Sequence, residues 1–114
     1  MHELSFTLSI LNIVQEYAKK HGFSKVNSLK LTFGRLSSVE PSALEFAFEI
    51  QSKGTKAEGA VLEFLIKPII IHCSSCDGDQ EVETYTGMCP QCQGTEVLLV
   101  AGTEELQLLE MDVD

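Results

Sequence analysis

The four cysteines of this chain fall into two C-x2-C pairs, Cys73-Ser-Ser-Cys76 and Cys89-Pro-Gln-Cys92, with twelve residues between the pairs. Two residues between cysteines allow one tight turn to direct two sulfur atoms at the same cation. Two such turns together supply the four thiolates of a tetrahedral structural zinc site. The spacing therefore predicts a closed zinc site whose ligands are Cys73, Cys76, Cys89 and Cys92.

The segment that carries the cysteines has too little apolar surface to fold without help. Ordering the roughly twenty residues from Cys73 to Cys92 costs about 1.5 kcal/mol each in conformational entropy. Few apolar side chains are available to offset this cost, namely Val82, Tyr85 and Met88. A structural zinc contributes about 10 to 16 kcal/mol in comparable small peptides, so we expect the segment to fold around the metal.

Two other uses of paired cysteines compete with this one, a redox-active dithiol and a pair of disulfides. A redox dithiol usually occurs as a single C-x-x-C near a βαβ pattern, whereas this chain has two pairs flanked by strand-like sequence. Disulfides require an oxidising compartment, and the N-terminus lacks the pattern of a secretory signal peptide. We therefore rank the zinc site first and expect the protein to be cytoplasmic.

Length and charge restrict the remaining classes. A chain of 114 residues with 44% hydrophobic residues can form one small domain and a metal-stapled lobe beside it. The formal net charge of −9 argues against nucleic acid as a partner, although many zinc ribbons bind it, because phosphate binding depends on clustered Lys and Arg. No apolar run approaches the length of a membrane span, so we expect no membrane partner.

Hydrophobic periodicity predicts two helices and several short strands. An amphipathic helix is predicted over residues 4–20, with a buried stripe formed by Leu4, Leu8, Leu11, Val14 and Ala18. Pro41 suits the first turn of a second helix, which continues to Ile50 and ends before Gly54. Alternating patterns predict strands over residues 28–33, 61–66, 80–86, 96–100 and 106–113.

Three of these patterns carry further expectations. The strand at 61–66 is apolar on both faces, which predicts a central strand or one covered on both sides. Ile69–Ile71 lead straight into the first cysteine pair, so little linker precedes the metal-binding lobe. The last strand has a phase slip at Leu108 and Leu109, which predicts a β-bulge, and we expect this strand to return to the first sheet.

The predicted fold is α/β, a small mixed sheet with two helices plus an inserted four-cysteine zinc-ribbon lobe. The metal lobe lies in sequence between two strands of the same sheet. We therefore place the α/β domain at residues 1–67 and 103–114, and the zinc ribbon at residues 68–102. Short connections of this kind also permit a domain-swapped homodimer, so the predicted state is either a monomer or such a dimer.

The N-terminus begins Met1-His2-Glu3, and a histidine at position 2 has a particular chelating chemistry. Its imidazole can close a ring with its own backbone nitrogen, which in turn chelates with the terminal amine, and the Glu3 nitrogen can add a fourth donor. Deprotonated amide nitrogens bind metals that favour square-planar nitrogen fields, namely Ni(II) and Cu(II). A histidine near a terminus is more often solvated and idle, so the motif alone is weak.

Several short motifs occur together along the whole chain: Met1-His2-Glu3-Leu4-Ser5, Phe33-Gly34, Val39-Glu40-Pro41 followed by Leu44, Phe46 and Phe48, Glu58-Gly59-Ala60 with Leu62, and the cysteine pairs. In this combination the chain resembles the HypA/HybF family of nickel metallochaperones. The resemblance implies a two-lobed protein with a nickel site at its N-terminus and a structural zinc in the four-cysteine lobe. It also implies delivery of nickel to the hydrogenase large-subunit precursor alongside the GTPase HypB, and in some members a role with urease maturation proteins.

The resemblance carries roles over to particular residues. It makes His2 the primary nickel ligand, with Met1 and Glu3 contributing amine and amide nitrogens, and it gives zinc to the four cysteines. Glu40 is interpreted in two ways, as an acidic group near the nickel site or as a solvated or capping carboxylate. His72 is expected to be an exposed neighbour of the first cysteine pair, with pairing to the zinc thiolates, or replacement of one, as the alternative.

The resulting hypothesis is a nickel carrier that is not an enzyme. A terminal chelate with open axial positions suits a carrier because an acceptor can displace its ligands stepwise. The first alternative is a zinc-ribbon adaptor with an inert N-terminus, which predicts tight zinc and no selective nickel binding. The second is a small redox protein, which predicts reversible thiol oxidation and no stable metal.

Overall fold

The computed structural model describes residues 2–114, and for His2 it describes the backbone alone. Within this range the chain divides into two compact units. The first, here the helical unit, comprises the residues up to Thr32 together with Val39–Leu65 and Leu106–Asp114. The second, here the cysteine unit, comprises Phe33–Ser38 and Ile66–Glu105.

The first helix, α1, spans His2–His21 and so begins two residues before the predicted range. Ile10, Leu11, Val14, Ala18 and also Thr7 are buried on its inner side, whereas Leu4 and Leu8 remain exposed. The predicted stripe is therefore wrong at its first two positions. Thr7 can replace an apolar residue there because its hydroxyl donates to the Glu3 carbonyl at 2.8 Å, which satisfies the buried polar group.

The second helix, α2, spans Pro41–Gln51 and confirms Pro41 in the first helical turn. Glu40 is its N-cap, with Oε1 accepting from the Ser42 hydroxyl at 2.9 Å and from the Ser42 backbone N–H at 3.4 Å. At the other end the Ser52 N–H donates to the Phe48 carbonyl at 2.9 Å. Neither of the described helices is both long enough and apolar enough to cross a lipid bilayer.

The described residues form six strands, in chain order β1 (Val26–Gly34), β2 (Val61–Lys67), β3 (Ile69–Cys73), β4 (Gly78–Val82), β5 (Val97–Ala101) and β6 (Gln107–Val113). They form two sheets of three strands, in the orders β2-β1-β6 and β4-β3-β5. The two helices and small sheets agree with the predicted α/β class. The chain enters β3 one residue after β2 ends, so a single position separates the two sheets in sequence.

The return of β6 to the first sheet is confirmed, since β6 pairs antiparallel with β1. Lys30 lies opposite Glu110, and the next residue, Leu31, lies opposite Leu108. Leu109 is therefore the extra residue of a bulge, at the position where the sequence changes phase. The bulge keeps Leu106, Leu108, Met111 and Val113 packed against the core on both sides of the slip.

The prediction for β2 is wrong, because β2 is an edge strand rather than a central one. Leu62 and Phe64 pack against the core, whereas Val61 and Leu65 on the opposite face are 61% and 48% exposed. The apolar residues on the outer face indicated burial, but only the inner face of β2 is covered. The central position belongs to β1, whose Leu29 and Leu31 are fully buried.

The core of the helical unit joins both helices to β1. Its most buried members include Val14 of α1, Leu29 and Leu31 of β1, and Leu44 of α2, none of which is more than 1% exposed. Burying one such side chain stabilises the fold by about 1.5 to 3 kcal/mol. The helical unit therefore has a continuous apolar core made from its own residues.

In the cysteine unit β3 is the central strand and pairs antiparallel with both β4 and β5. Ile69, Ile71 and Cys73 alternate towards the buried side of the sheet. Ile69–Ile71 are thus part of the lobe's own sheet rather than only the approach to it. The strand predicted at residues 80–86 is shorter and starts earlier in the structure. It is β4, which spans Gly78–Val82.

The end of β1 and the residues after it, Phe33–Ser38, belong to the cysteine unit and contact it through the backbone. The N–H groups of Gly34 and Leu36 donate to the carbonyls of Glu104 and Gly102, at 2.8 and 2.7 Å. A side chain at Gly34 would overlap the Gly102 carbonyl, so this close approach requires glycine. The Glu104 carboxylate also accepts from the Gly102 N–H at 2.8 Å.

Candidate metal centre

The structure brings all four cysteines together at one end of the cysteine unit. Cys73 ends β3, and Cys76 lies in the turn that leads to β4, while Cys89 and Cys92 lie in the turns before β5. Their four sulfur atoms all lie within 4.8 Å of one another. Cys73 and Cys89 are buried and the other two are exposed.

The spacing of the sulfur atoms fits a tetrahedral cation. The Cys73 and Cys92 sulfurs are 3.7 Å apart, and those of Cys76 and Cys89 are 3.9 Å apart. A zinc ion with Zn–S bonds of about 2.3 Å separates its thiolate ligands by about 3.8 Å. A disulfide requires about 2.05 Å. The cluster is therefore suited to one four-coordinate metal rather than to disulfides.

Each pair of cysteines is shaped by a tight turn with one residue in the left-handed region. Asp77 follows the first pair with φ 52°, and Gln93 follows the second with φ 58°. In the second turn the Gly94 N–H points at the Cys92 sulfur, 3.4 Å away. A Cβ at Gly94 would lie 3.2 Å from that sulfur, so glycine leaves the backbone close to the ligand atom.

Sequence reasoning missed Gln80, which belongs to the same site. It lies on β4, and its side-chain Nε2 donates to the Cys89 sulfur at 3.2 Å. Hydrogen bonds of this kind orient a thiolate ligand and stabilise its negative charge. Nothing in the local pattern around Gln80 marks this role, because the contact exists only when β4 pairs with β3.

The thiols of the cluster do not ionise alike. The Cys92 backbone N–H lowers the pKa of Cys89 to about 6. Hydrogen bonding with the Cys92 side chain raises the pKa of Cys76 to about 12. The pKa of Cys92 is raised although the Gly94 N–H acts to lower it, because hydrogen bonds with the Cys73 and Cys89 thiols favour the protonated form. A cation that binds all four sulfurs must displace protons from the less acidic thiols.

His72 lies beside Cys73 in sequence but faces away from the sulfur cluster. Neighbouring residues of a strand point to opposite sides of the sheet, and Cys73 is the buried member of the pair. The Nδ1 atom of His72 is 2.8 Å from the Asp79 carboxylate, directly across β3 and β4. The His72 side chain is 36% exposed, so it is a half-buried rather than a fully exposed neighbour of the first cysteine pair, and the alternative of pairing with the thiolates does not fit this orientation.

Of the three predicted nickel ligands, Met1 and the side chain of His2 lie outside the described residues. Glu3 lies in the first turn of α1, and its Oε2 accepts from the Glu40 N–H at 3.4 Å. Glu40 therefore makes two contacts: its carboxylate caps α2, and its backbone N–H donates to the Glu3 carboxylate.

Comparison with known proteins identifies similar chains over the full length. A family model described as "Hydrogenase/urease nickel incorporation, metallochaperone, hypA" matches residues 1–113. The hydrogenase maturation factor HypA of Syntrophus aciditrophicus is 53% identical over 114 residues, which cover 100% of both chains. The factor of the same name from Rhodobacter capsulatus is 38% identical over 113 residues, or 99% of each chain.

Two solved structures share the fold. A solution structure of HypA protein matches with a TM-score of 0.69 at 24% identity, over 99% of this chain and 96% of the other. The solution structure of the Ni metallochaperone HypA from Helicobacter pylori matches with a TM-score of 0.62 at 23% identity, over 97% and 96% of the two chains. At this identity the likeness concerns the architecture of the chain.

Proposed function

The chain belongs to the HypA family of metallochaperones for hydrogenase and urease nickel incorporation, and from this premise we propose that it binds Ni(II) at its own N-terminus. The ligands in this proposal are the imidazole of His2, the amine of Met1 and backbone nitrogens that include Glu3. The observation that carries it is the whole-chain family match joined to a sequence that opens Met1-His2-Glu3.

The chemistry of the N-terminus supports this ligand set. Nickel(II) accepts a planar set of amine, amide and imidazole nitrogens. Glu3 lies in the first turn of α1, next in sequence to His2. The Glu3 carboxylate is held towards the start of α2 by the Glu40 N–H, so acidic groups lie near the helix start.

We further propose that the cysteine cluster holds zinc in a closed structural site. The sulfur separations of 3.7 and 3.9 Å support a tetrahedral tetrathiolate. With all four positions taken by Cys73, Cys76, Cys89 and Cys92, the metal would tie the two turns together and leave no position for substrate. We propose that the nickel site belongs to the α/β domain, residues 1–67 and 103–114, and the zinc site to the zinc ribbon, residues 68–102.

The role we propose is transfer of nickel without catalytic turnover. Incorporation of a metal into another protein requires a site from which the cargo can leave, and a terminal chelate can be opened one ligand at a time. By the family resemblance, we infer that the acceptor is a nickel–iron hydrogenase large-subunit precursor and that the GTPase HypB takes part. The family description also includes urease, so we include urease maturation proteins among the candidate partners.

Metal analysis of untagged protein tests both assignments together. The protein is purified without an affinity tag at its N-terminus, incubated with one equivalent of nickel and passed through a desalting column. We expect one zinc and one nickel per chain. Zinc without retained nickel would favour a zinc-ribbon adaptor, and reversible thiol oxidation with neither metal would favour a redox protein.

A further inference from the structure

The open edge of the first sheet lies next to a groove that the metal sites do not use. Among the described residues, β6 has β1 as its strand partner on one side and no strand on the other. A groove of about 520 Å³ follows this second side, with β6 as one wall and α1 as the other. All of its lining residues belong to the helical unit.

The wall contributed by α1 is apolar and incompletely covered. Ile13 and Tyr17 line the groove and are 39% and 43% exposed, and Leu109 on the opposite wall is 47% exposed. Ile13 and Tyr17 line the same groove as β6, so the side chains of a strand added in this groove would contact them. An unpaired strand edge and an apolar wall beside it together match the geometry of strand addition.

The outer face of β6 is acidic. From residue 106 to residue 114 the chain has Glu110, Asp112 and Asp114 and no Lys or Arg. Glu110 lies opposite Lys30 of β1, and Asp112 lies opposite Ser28. The Asp112 and Asp114 carboxylates accept hydrogen bonds from the Asn27 side-chain amide of β1 at 3.2 and 2.9 Å, and because this amide is neutral, these contacts do not cancel their negative charge. Like charges directly opposite each other destabilise a strand pair, whereas opposite charges stabilise it.

We propose that this edge, defined by β6 and by Ile13 and Tyr17 of α1, is a docking site for an extended segment of a partner protein that adds a fourth strand to the sheet. One face of that segment carries apolar side chains, which pack against Ile13 and Tyr17. The other face carries Lys or Arg, which lie beside Glu110 and Asp112. A second copy of this chain fits less well, because pairing two β6 strands brings two sets of three carboxylates together.

The first test uses a synthetic peptide as the probe. It has about eight residues, long enough for one strand with flanking positions, alternates valine with lysine, and is blocked at both ends. Amide chemical shifts and hydrogen exchange of the labelled full-length protein are followed during titration. We expect shifts and slowed exchange confined to β6 and to the groove side of α1. A peptide of the same composition with its lysines in one block, and one that alternates valine with glutamate, should bind more weakly.

Matched variants separate this edge from a general surface effect. Ile13→Asp should weaken the lysine peptide at least about tenfold, the effect of losing one buried aliphatic contact. Leu8→Asp, at another exposed position of α1, should leave binding unchanged. Circular dichroism checks that both variants fold.

The charges are tested in the same paired way. Glu110 and Glu63 both line a shallow depression around Lys30, but Glu63 lies on β2, at the opposite edge of the sheet. Glu110→Gln should lower affinity for the lysine peptide about two- to fivefold, the range of one exposed ion pair. Glu63→Gln should not.

Three results would overturn the proposal. The first is the absence of peptide-induced shifts at β6, and the second is an equal effect of the variant and its control in either pair. The third is a concentration-dependent dimer of the protein alone that Ile13→Asp dissociates, which would assign the edge to a second copy of the chain. None of these outcomes depends on metal content, so failure here leaves the nickel and zinc assignments as they stand.

Discussion

Gln80 illustrates how a residue without metal-ligand chemistry becomes part of the metal centre. Its amide donates to the Cys89 sulfur at 3.2 Å, so it stabilises charge on that ligand. Removing such an outer contact typically lowers metal affinity about 10- to 100-fold. We therefore expect Gln80→Ala to weaken zinc binding by about tenfold or more in competition with a chromogenic chelator. Gln91→Ala, in the exposed turn between Cys89 and Cys92, is the matched control, and equal affinities for the two variants would contradict the role of Gln80.

Glu104 is a second single residue with a measurable effect. Hydrogen bonds from its own N–H and from that of Gly102 lower the pKa of its carboxyl below the usual 4.5. A lowered pKa in the folded state means that the stabilisation is complete above pH 4.5 and is lost as the pH falls through the lower folded value. Glu104→Gln should therefore lower the Tm by the same amount at pH 6 and at pH 8. Glu105→Gln serves as the control, and a difference that varied between these two pH values would count against this account.

At the scale of the element, the sequence predicted most helices and strands but misassigned some of their environments. The spacing of the cysteines predicted the sulfur cluster, and Pro41 and Gly54 bracketed α2, because these signals are local. The position of β2 at a sheet edge could not be predicted, because apolar residues on both faces are typical of a buried strand. The role of Gln80 also required the pairing of β3 with β4, which is a long-range contact that periodicity does not encode.

The cysteine unit should depend on its metal more than the helical unit does. Its buried residues are few and include Cys73 and Cys89 themselves, whereas the helical unit has a continuous apolar core. We expect Cys89→Ser to lose zinc and to lose amide protection in β3, β4 and β5, while α1, α2 and β1 remain protected. Removal of zinc by a chelator should give the same pattern. Full zinc content with normal protection in this variant would rule out the tetrathiolate assignment.

At the scale of the whole molecule, the two proposed metals have different requirements. The proposed zinc site uses four side chains held by a sheet and two tight turns, so it suits retention. The proposed nickel site uses the chain terminus and backbone nitrogens, so it suits release. Under this proposal, a chain of 114 residues would hold one metal for stability and pass on another.

The role of the terminal amine can be tested by acetylating Met1. Acetylation removes the amine as a donor and leaves every side chain in place. Under the proposed ligand set, the acetylated protein should lose most of its nickel affinity in a calorimetric titration and keep its zinc. Unchanged affinity would instead indicate a site made from His2 with carboxylates such as Glu3 or Glu40.

Nickel titration of untagged His2→Ala protein tests the central claim most directly. His2 precedes the buried positions of α1, which begin at Thr7, so the substitution should leave the core intact. We predict that the variant keeps its zinc content and its Tm but shows no tight nickel binding, while the parent protein binds one nickel per chain. Nickel binding by His2→Ala with the affinity of the parent protein would contradict the proposed N-terminal site.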